Sequence, residues 1–515
     1  MREAQERVAA TSRAVAADPA RIQVNPSLEL VQISLRQPSK FSTTLLVNAG
    51  CSKTVRSSHL QNPVQGSRFK VQGFKSFNLE RRTLNIEPPL GTDGSEMAGF
   101  QQPADFCLVW RDPTDGALRT EIAQPGDLAA LKIVVEEKRV EDAAREAGTS
   151  VGLIDACLRG AARKGLILAP PSRLRRPSSW GSLPGGDEAA ADVFTLQWHI
   201  TQECDLHCRH CYDRSNRGSF SIAAGLRLLA DLRRFCEDRF VRGHVSFTGG
   251  NPFLHPGFAA LYRGATDLGL STAILGNPVS RKQLSEILAI QRPAYFQVSL
   301  EGLEPHNDHI RGPGHFRRTL AFLDLLTELG VGSEVMLTLT RNNMDQVLPL
   351  GEMLRGRTGA FSFNRLAPFG EGAALALPDR KSYAAFLDRY VSAIEDNPIL
   401  ALKDNLLNLA LASRGRELFN GCAGYGCGAA FNFMAVLADG EAHACRKFPS
   451  PIGSVHTSSL AEIYDSPAAN RYRTRSAACT GCPLIAVCGG CPAVTAGTGG
   501  DPFLDLDTLC FRERP

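Results

Sequence analysis

An α/β fold built on a partial (β/α)6, TIM-like barrel is what the sequence predicts, and three observations predict it. Beyond Val193, strand-like runs alternate with amphipathic helical segments, the signature of a parallel sheet. Ahead of that series, APPSRLRRPSSWGSLPGGD at 169–187 is rich in Pro, Ser, Gly and Arg and reads as a linker behind a small domain. After the barrel, eight of the 15 cysteines fall between Cys422 and Cys510.

The N-terminal elements come first. Residues 1–95 hold an Ala-rich stretch and an apolar patch at 28–35 and receive no role. From Phe106, the strand-like FCLVW leads through the turn DPTDG to a second short strand at Thr120–Ile122. Three helical stretches follow, with turns near Lys138 and at Gly148–Thr149–Ser150. Strands followed by three helices make residues 96–168 winged-helix-like. The pattern resembles the leader-peptide recognition domains of peptide-modifying enzymes, and a DNA-binding winged helix or a packing module remains open beside it. Residues 169–192 are the expected linker.

The expected barrel, 193–400, has strands beginning near Val193, His244, Ser271, Ala294, Ser333 and Ala360. Helical segments such as AAGLRLLADLRRFCEDRF and FRRTLAFLDLLTELG lie between them, with apolar residues spaced three and four apart. Parallel barrels carry their reactive groups at the C-terminal strand ends. The motifs below fall there.

Composition bounds the function. At 515 residues the chain is long enough for several domains, and 43 % hydrophobic with 21 % charged residues is globular. Lys+Arg 57 against Asp+Glu 53 leaves a net charge of +4, too balanced for a phosphate-coating nucleic-acid binder. No run approaches the ~18 apolar residues of a membrane helix, and MREAQER lacks a signal-peptide core behind it. The expectation is a cytoplasmic protein. In that compartment clustered cysteines point to metal ligation rather than disulfides, whereas Cys107, Cys157 and Cys236 read as packing residues and Cys51 has no reading.

Cys204, Cys208 and Cys211 form CxxxCxxC just after the first barrel strand. Three thiolates on one loop hold three corners of a four-iron cube and leave the fourth iron open, as catalytic metal sites do. The rival readings are a zinc site or a free-thiol cluster.

The motif after a first strand resembles the radical S-adenosylmethionine enzymes. That resemblance implies a cluster at Cys204, Cys208 and Cys211 that cleaves S-adenosylmethionine to a 5′-deoxyadenosyl radical, these cysteines being both metal ligands and the catalytic set. It implies further cofactor contacts: His210 beside the adenine, Gly249, Gly250 and Asn251 ending the second strand, and Ser299 with Arg311 reaching ribose and carboxylate. Asn251 stands where the family has Glu, so a contact needing that charge is in question. Leu366, in FNRLAPFGEG, is a further candidate for lining the cofactor, with Gly370 and Gly372 in a turn. His306 and Asp308 read as capping groups.

The distal cysteines, with Cys427 and Cys445 followed by Cys479-x2-Cys482-x5-Cys488-x2-Cys491 and Cys510, resemble the SPASM auxiliary-cluster domain, expected at 401–515. With Cys422 there are enough for two fully ligated [4Fe-4S] clusters. Following the family, Cys422, Cys427, Cys445 and Cys491 hold one, and Cys479, Cys482, Cys488 and Cys510 the other. If Cys422 is only structural, the first cluster has an open iron. A zinc ribbon accounts for four cysteines but not for eight interleaved ones. In sulfatase-maturing relatives an acidic residue follows the third ligand; here Arg446 follows Cys445.

The resemblance therefore implies three [4Fe-4S] clusters and S-adenosylmethionine in a maturase that modifies a ribosomally made peptide, forming a thioether, another cross-link or a heterocycle at cysteine. FNRLAPFGEG and GGNPFLHP together resemble the thio(seleno)oxazole-modifying or selenobiotic-peptide maturases. Its partners are a precursor peptide with a leader and an electron donor such as flavodoxin or ferredoxin, without membrane or nucleic acid. The alternatives are a quinohaemoprotein-type cross-linking maturase and, of another class, an iron–sulfur redox-sensing regulator that binds DNA.

Overall fold

The protein is described by a computed structural model over residues 22–25, 27–33, 68–70, 105–181, 183 and 189–512. Cys51 and the Cys107 side chain lie outside the described residues. The chain divides into two compact units, Met1–Thr149 with Leu153–Pro171, and Ser150–Gly152 with Ser172–Pro515.

In the first unit, short strands β1 (Gln23–Val24), β2 (Glu29–Ile33), β3 (Arg68–Lys70), β4 (Asp105–Arg111) and β5 (Leu118–Ile122) precede helices α1 (Pro125–Val135), α2 (Val140–Glu146) and α3 (Val151–Arg163) and strand β6 (Ile167–Leu168). Four strands form an antiparallel sheet in the order β3-β2-β4-β5. β2 pairs with β4 from Glu29↔Val109 to Ile33↔Asp105, so the sheet crosses the boundary expected at residue 95. Sequence reading assigned β2 no role because its partner lies some seventy residues away, and pairing at that separation leaves no local signature. Trp110 is 2 % exposed and its indole donates to Lys164 O at 2.7 Å, tying β4 to the end of α3. Cys157 on α3 is only partly buried, a correction to its reading as core.

The second unit begins with β7 (Val193–Thr201), α4 (Ile222–Arg239), β8 (Arg242–Gly249), α5 (Phe258–Asp267), β9 (Ser271–Leu275), α6 (Arg281–Leu288) and β10 (Tyr295–Ser299). It continues with α7 (Glu304–Arg311), α8 (His315–Glu328), β11 (Ser333–Leu339), α9 (Val347–Met353) and β12 (Ala360–Arg365). All six strands start within two residues of the expected positions. They are parallel and in sequential order, β12-β11-β10-β9-β8-β7, the arrangement of a partial TIM-like barrel. Period-two alternation turns Phe194, Leu196, Trp198 and Ile200 of β7 into the core with the buried Leu228, Leu229 and Leu232 of α4. Gln197, His199, Ser246, Thr248 and Gln297 alternate onto the opposite, polar face. Cys236 on α4 is 2 % exposed, as its packing role requires.

α10 (Arg380–Ala393) and α11 (Leu407–Ser413) lead to β13 (Phe433–Val436), which joins the sheet parallel to β7. Antiparallel β14 (Glu441–His443) and β15 (Pro451–Ser454) complete nine strands, and α12 (Leu460–Asp465), α13 (Pro467–Arg473) and α14 (Pro492–Gly497) follow. The cysteine-rich end is thus built onto one edge of the barrel sheet.

The segment expected to be a linker is fixed to that end. Arg176 Nη2 donates to Cys427 O at 2.6 Å, and its guanidinium lies 3.8 Å over the Phe431 ring. Composition reads as a linker, but an arginine with a buried carbonyl and an aromatic face to pair with has reason to fold in.

Candidate functional site

The CxxxCxxC loop leaves the C-terminal end of β7 and is gripped from both sides. On one side, a Cβ on Gly250 would lie 2.0 Å from Glu203 O and 2.8 Å from Cys204 Cβ, so only glycine lets the end of β8 approach the loop. Gly250 N and Asn251 N donate to Thr201 O and Glu203 O at 3.0 and 2.7 Å. On the other side, Gly370, at φ +55°, lies where a Cβ would meet Cys211 O at 2.7 Å, and Glu371 N donates to that oxygen at 2.9 Å. Beyond Cys211, Arg217 Nη1 reaches Asp439 and Glu441 of the β13–β14 hairpin at 2.8 and 3.0 Å.

The three thiols lie close enough to repel one another as thiolates. Cys204 is exposed; Cys208 and Cys211 are partly buried, and burial pushes both thiols up. Arg311, at the end of α7, points Nη1 at Cys208 Sγ, 3.9 Å away. Its Nε and Nη2 grip Glu301 Oε1 at 2.8 and 2.6 Å, and Thr338 N donates to Oε2 at 2.7 Å. Burial raises the Glu301 carboxyl, but His210, Arg311 and these hydrogen bonds outweigh it and the net direction is down. His210 Nε2 lies 3.5 Å from both Glu301 Oε1 and Arg311 Nη2, its Nδ1 is buried without a partner, and burial lowers its pKa to about 4. An imidazole with an orphaned ring nitrogen beside the third cysteine offers a flat face for a ligand ring.

Asn251 does not stand alone where a Glu was expected. Its Nδ2 donates to Asp205 Oδ1 at 3.1 Å, and Asn277 Nδ2 donates to the same oxygen at 2.6 Å while lying 3.7 Å from Cys204 Sγ. A carboxylate is therefore present at this position, carried by the cysteine loop. Ser299 ends β10 partly buried, and Leu366 is 1 % exposed just after β12. Asp308 accepts from Gly314 N and Phe316 N at 2.6 and 2.8 Å and caps the start of α8, the role read for it; His306 Nε2 is buried without a partner.

At the far end the eight cysteines separate into two neighbourhoods. Cys422 and Cys445 each feel the charge of Cys427 and Cys491, whereas Cys479, Cys482, Cys488 and Cys510 act on one another. Burial pushes Cys422 up to about 11 and Cys445 to about 12. The second four line one cavity of about 360 Å³ with Gly489, Gly490 and Asp507. Backbone bonds fix the ligand loops: Cys422 N donates to Asn405 Oδ1 at 2.7 Å, Cys427 N to Cys488 O at 3.0 Å and Cys491 N to Asp507 Oδ2 at 2.8 Å. Arg365, fully buried at the end of β12, binds Asp507 through two bonds of 2.6 and 2.8 Å and Asp404 at 2.7 Å. Among the described residues no three His, Cys, Asp or Glu side chains converge on a single-ion site. Sets of three, four and four thiols fit four-iron clusters, whose ligands are cysteine thiolates.

Asp205, Asn277, Glu301 and Arg365 escaped the sequence reading. Their signal was position, since Asp205 lies inside the motif and the other three lie at or just beyond a C-terminal strand end.

Residues 198–354 match the Radical SAM superfamily and residues 427–492 match SPASM, described as an iron–sulfur cluster-binding domain. The chain is 25 % identical over 281 residues to the antilisterial bacteriocin subtilosin biosynthesis protein AlbA of Bacillus subtilis, covering 52 % of this chain and 59 % of that one. It is 23 % identical to an AdoMet-dependent heme synthase of Methanosarcina barkeri, covering 53 % of this chain and 82 % of that one. Matches to mycofactocin maturases span about half of those proteins, 48 % for that of Mycobacterium ulcerans. Among solved structures, Streptococcus suis SuiB bound to its precursor peptide SuiA superposes with a TM-score of 0.52 at 18 % identity, over 79 % of this chain and 96 % of that one, a likeness of fold. No described helix is long and apolar enough to cross a membrane.

Proposed function

From a chain that carries a radical SAM domain and a SPASM iron–sulfur domain, we propose a maturase that modifies a ribosomally made peptide. The observation that carries this reading is the separation of eleven thiols into a set of three on the barrel loop and two sets of four at the far end. When bound at the first set, a [4Fe-4S] cluster and S-adenosylmethionine supply a 5′-deoxyadenosyl radical that takes a hydrogen atom from the substrate.

The chain's own residues do the rest. Cys204, Cys208 and Cys211 are the ligands, Arg311 sets positive charge beside Cys208, and Glu301 fixes Arg311 and His210. The Asp205–Asn251–Asn277 group braces the loop at Cys204. Ser299, Gly249, Gly250 and Leu366 complete the proposed cofactor surroundings. Cys422, Cys427, Cys445 and Cys491 hold one auxiliary cluster, and Cys479, Cys482, Cys488 and Cys510 the other. Clusters held by these eight thiolates would have no open iron and would supply an acceptor for the electron released when the substrate bond closes. One electron enters from an external donor such as flavodoxin or ferredoxin and one leaves for each bond formed. The product is a thioether, another cross-link or a heterocycle at cysteine.

The leader is held by the winged-helix-like domain. β5 is the edge strand of its described sheet and all five of its residues are exposed, with Leu118 and Ile122 46 % and 53 % exposed. An open edge of this kind takes a peptide by strand addition. The heme-synthase relative favours a second reading, a tetrapyrrole substrate.

Incubation of the reconstituted, reduced chain with S-adenosylmethionine and either a cysteine-containing precursor encoded beside it or a porphyrin separates the two. A mass loss of two hydrogens on the peptide supports the maturase; change only on the porphyrin overturns it. Salt-sensitive duplex binding without 5′-deoxyadenosine formation would favour the regulator.

A further inference from the structure

Two arginines at the auxiliary end carry buried charge beside each other. Arg176 and Arg475 are 7 % and 8 % exposed and come from distant parts of the chain, yet they converge on one backbone oxygen. Arg176 Nη2 and Arg475 Nη1 donate to Cys427 O at 2.6 and 2.5 Å, and both side chains also donate to Tyr425 O, at 3.4 and 2.7 Å. Their guanidiniums lie 5.3 and 5.2 Å from the Trp180 ring. The Nε of each is buried with no partner.

The packing is built to admit them. A Cβ on Gly426 would come within 2.6 Å of Arg475 Nη2, and one on Gly489 within 2.6 Å of its Cδ and Nε. Arg475 itself holds φ +68°, a left-handed backbone that costs a non-glycine residue energy and persists only where the surroundings demand it.

Placing two like charges together out of water is strongly unfavourable without an anion nearby. Burial lowers the pKa of both groups, and repulsion from Arg475 lowers that of Arg176 further. Arg475 is bonded to Cys427 O of one auxiliary set and packed against Gly489, next to Cys488 of the other, so it touches the loops of both sets. Arg176 is bonded to the Cys427 loop, through Tyr425 O and Cys427 O. Four thiolates on a four-iron cluster make a net anion, and net charge and local environment set a cluster's reduction potential.

We infer that Arg176 and Arg475 form a paired cationic wall whose counter-ions are the two auxiliary clusters, raising their reduction potentials so that they accept the electron leaving the substrate. This rests on the auxiliary-cluster reading above. Positive charge favours the reduced, more negative cluster, so removing it lowers the midpoint. Arg475, touching the loops of both sets, acts on both clusters, and Arg176, bonded to the Cys427 loop, acts chiefly on the first.

The test uses the full chain with Cys204, Cys208 and Cys211 changed to Ala, so that only the auxiliary clusters report, in EPR-monitored redox titration. Arg475→Met is expected to lower both midpoints and Arg176→Met one, with Arg475→Lys and Arg176→Lys returning toward the parent. Unchanged midpoints in folded Met variants carrying about eight irons, two four-iron clusters, overturn the inference. If the Met variants fold but load less iron, recovery of loading in the Lys variants supports it and failure to recover overturns it. A parent that holds about four irons or fewer overturns the cluster reading itself, and the inference with it.

Discussion

Cys204 is exposed with Cys208 and Cys211 partly buried beside it, whereas Cys488 is buried among seven partly buried companions at the auxiliary end, with backbone bonds to Asn405, Asp507 and each other. Around the first three thiols lie groups that present charge: Arg311 beside Cys208, and Asp205 with two amides beside Cys204. Around the eight lie a fully buried Arg365–Asp404–Asp507 network and two further buried arginines. Three thiols leave a four-iron cluster one iron free for a cofactor, whereas four complete its ligation and suit it to passing electrons.

The sharpest break between the regions is expected from Cys208→Ala, which abolishes 5′-deoxyadenosine formation while leaving about eight irons, two clusters' worth. Cys482→Ala is expected to do the converse, retaining cofactor cleavage but losing peptide product; chromatography of both products checks this. Equal loss of both activities in the two folded variants would erase the division. Next in size, Arg365→Met leaves Asp404 and Asp507 as unpaired buried carboxylates and is expected to destabilise the fold by about 3–5 kcal/mol, read in chemical denaturation.

A smaller effect is expected from Glu301→Gln, which keeps the shape but weakens the hold on Arg311. Loss of such an outer partner typically costs about 10–100-fold in activity or metal affinity. The rate of 5′-deoxyadenosine formation should fall in that range, with an altered EPR signal on adding S-adenosylmethionine. The smallest effect on the fold is expected from Ile122→Glu on β5, within about 0.5 kcal/mol of the parent. It should leave 5′-deoxyadenosine formation intact but weaken leader-peptide binding, measured by fluorescence anisotropy.

The barrel was legible because each strand announces itself locally, by alternation and by a turn or glycine at its end; β7 to β12 needed no distant information. The cysteine motifs were legible for the same reason. What the sequence hid was non-local. β2 gains meaning only through β4, and Arg176 sits in a stretch whose composition reads as a linker until Cys427 O and Phe431 are brought to it. Glu301 and Asp205 were equally hidden, since a carboxylate beside a motif looks like any other surface acid until Arg311, Asn251 and Asn277 converge on it.

The most direct test of the separation between one three-thiol and two four-thiol sites is iron and acid-labile sulfide per chain, measured together with 5′-deoxyadenosine after reduction, for the parent and the Cys204, Cys208 and Cys211→Ala variant. The account predicts about twelve irons with cofactor cleavage in the parent and about eight irons without it in the variant. A parent with about four irons, or a variant that loses iron from all sites at once, would contradict it.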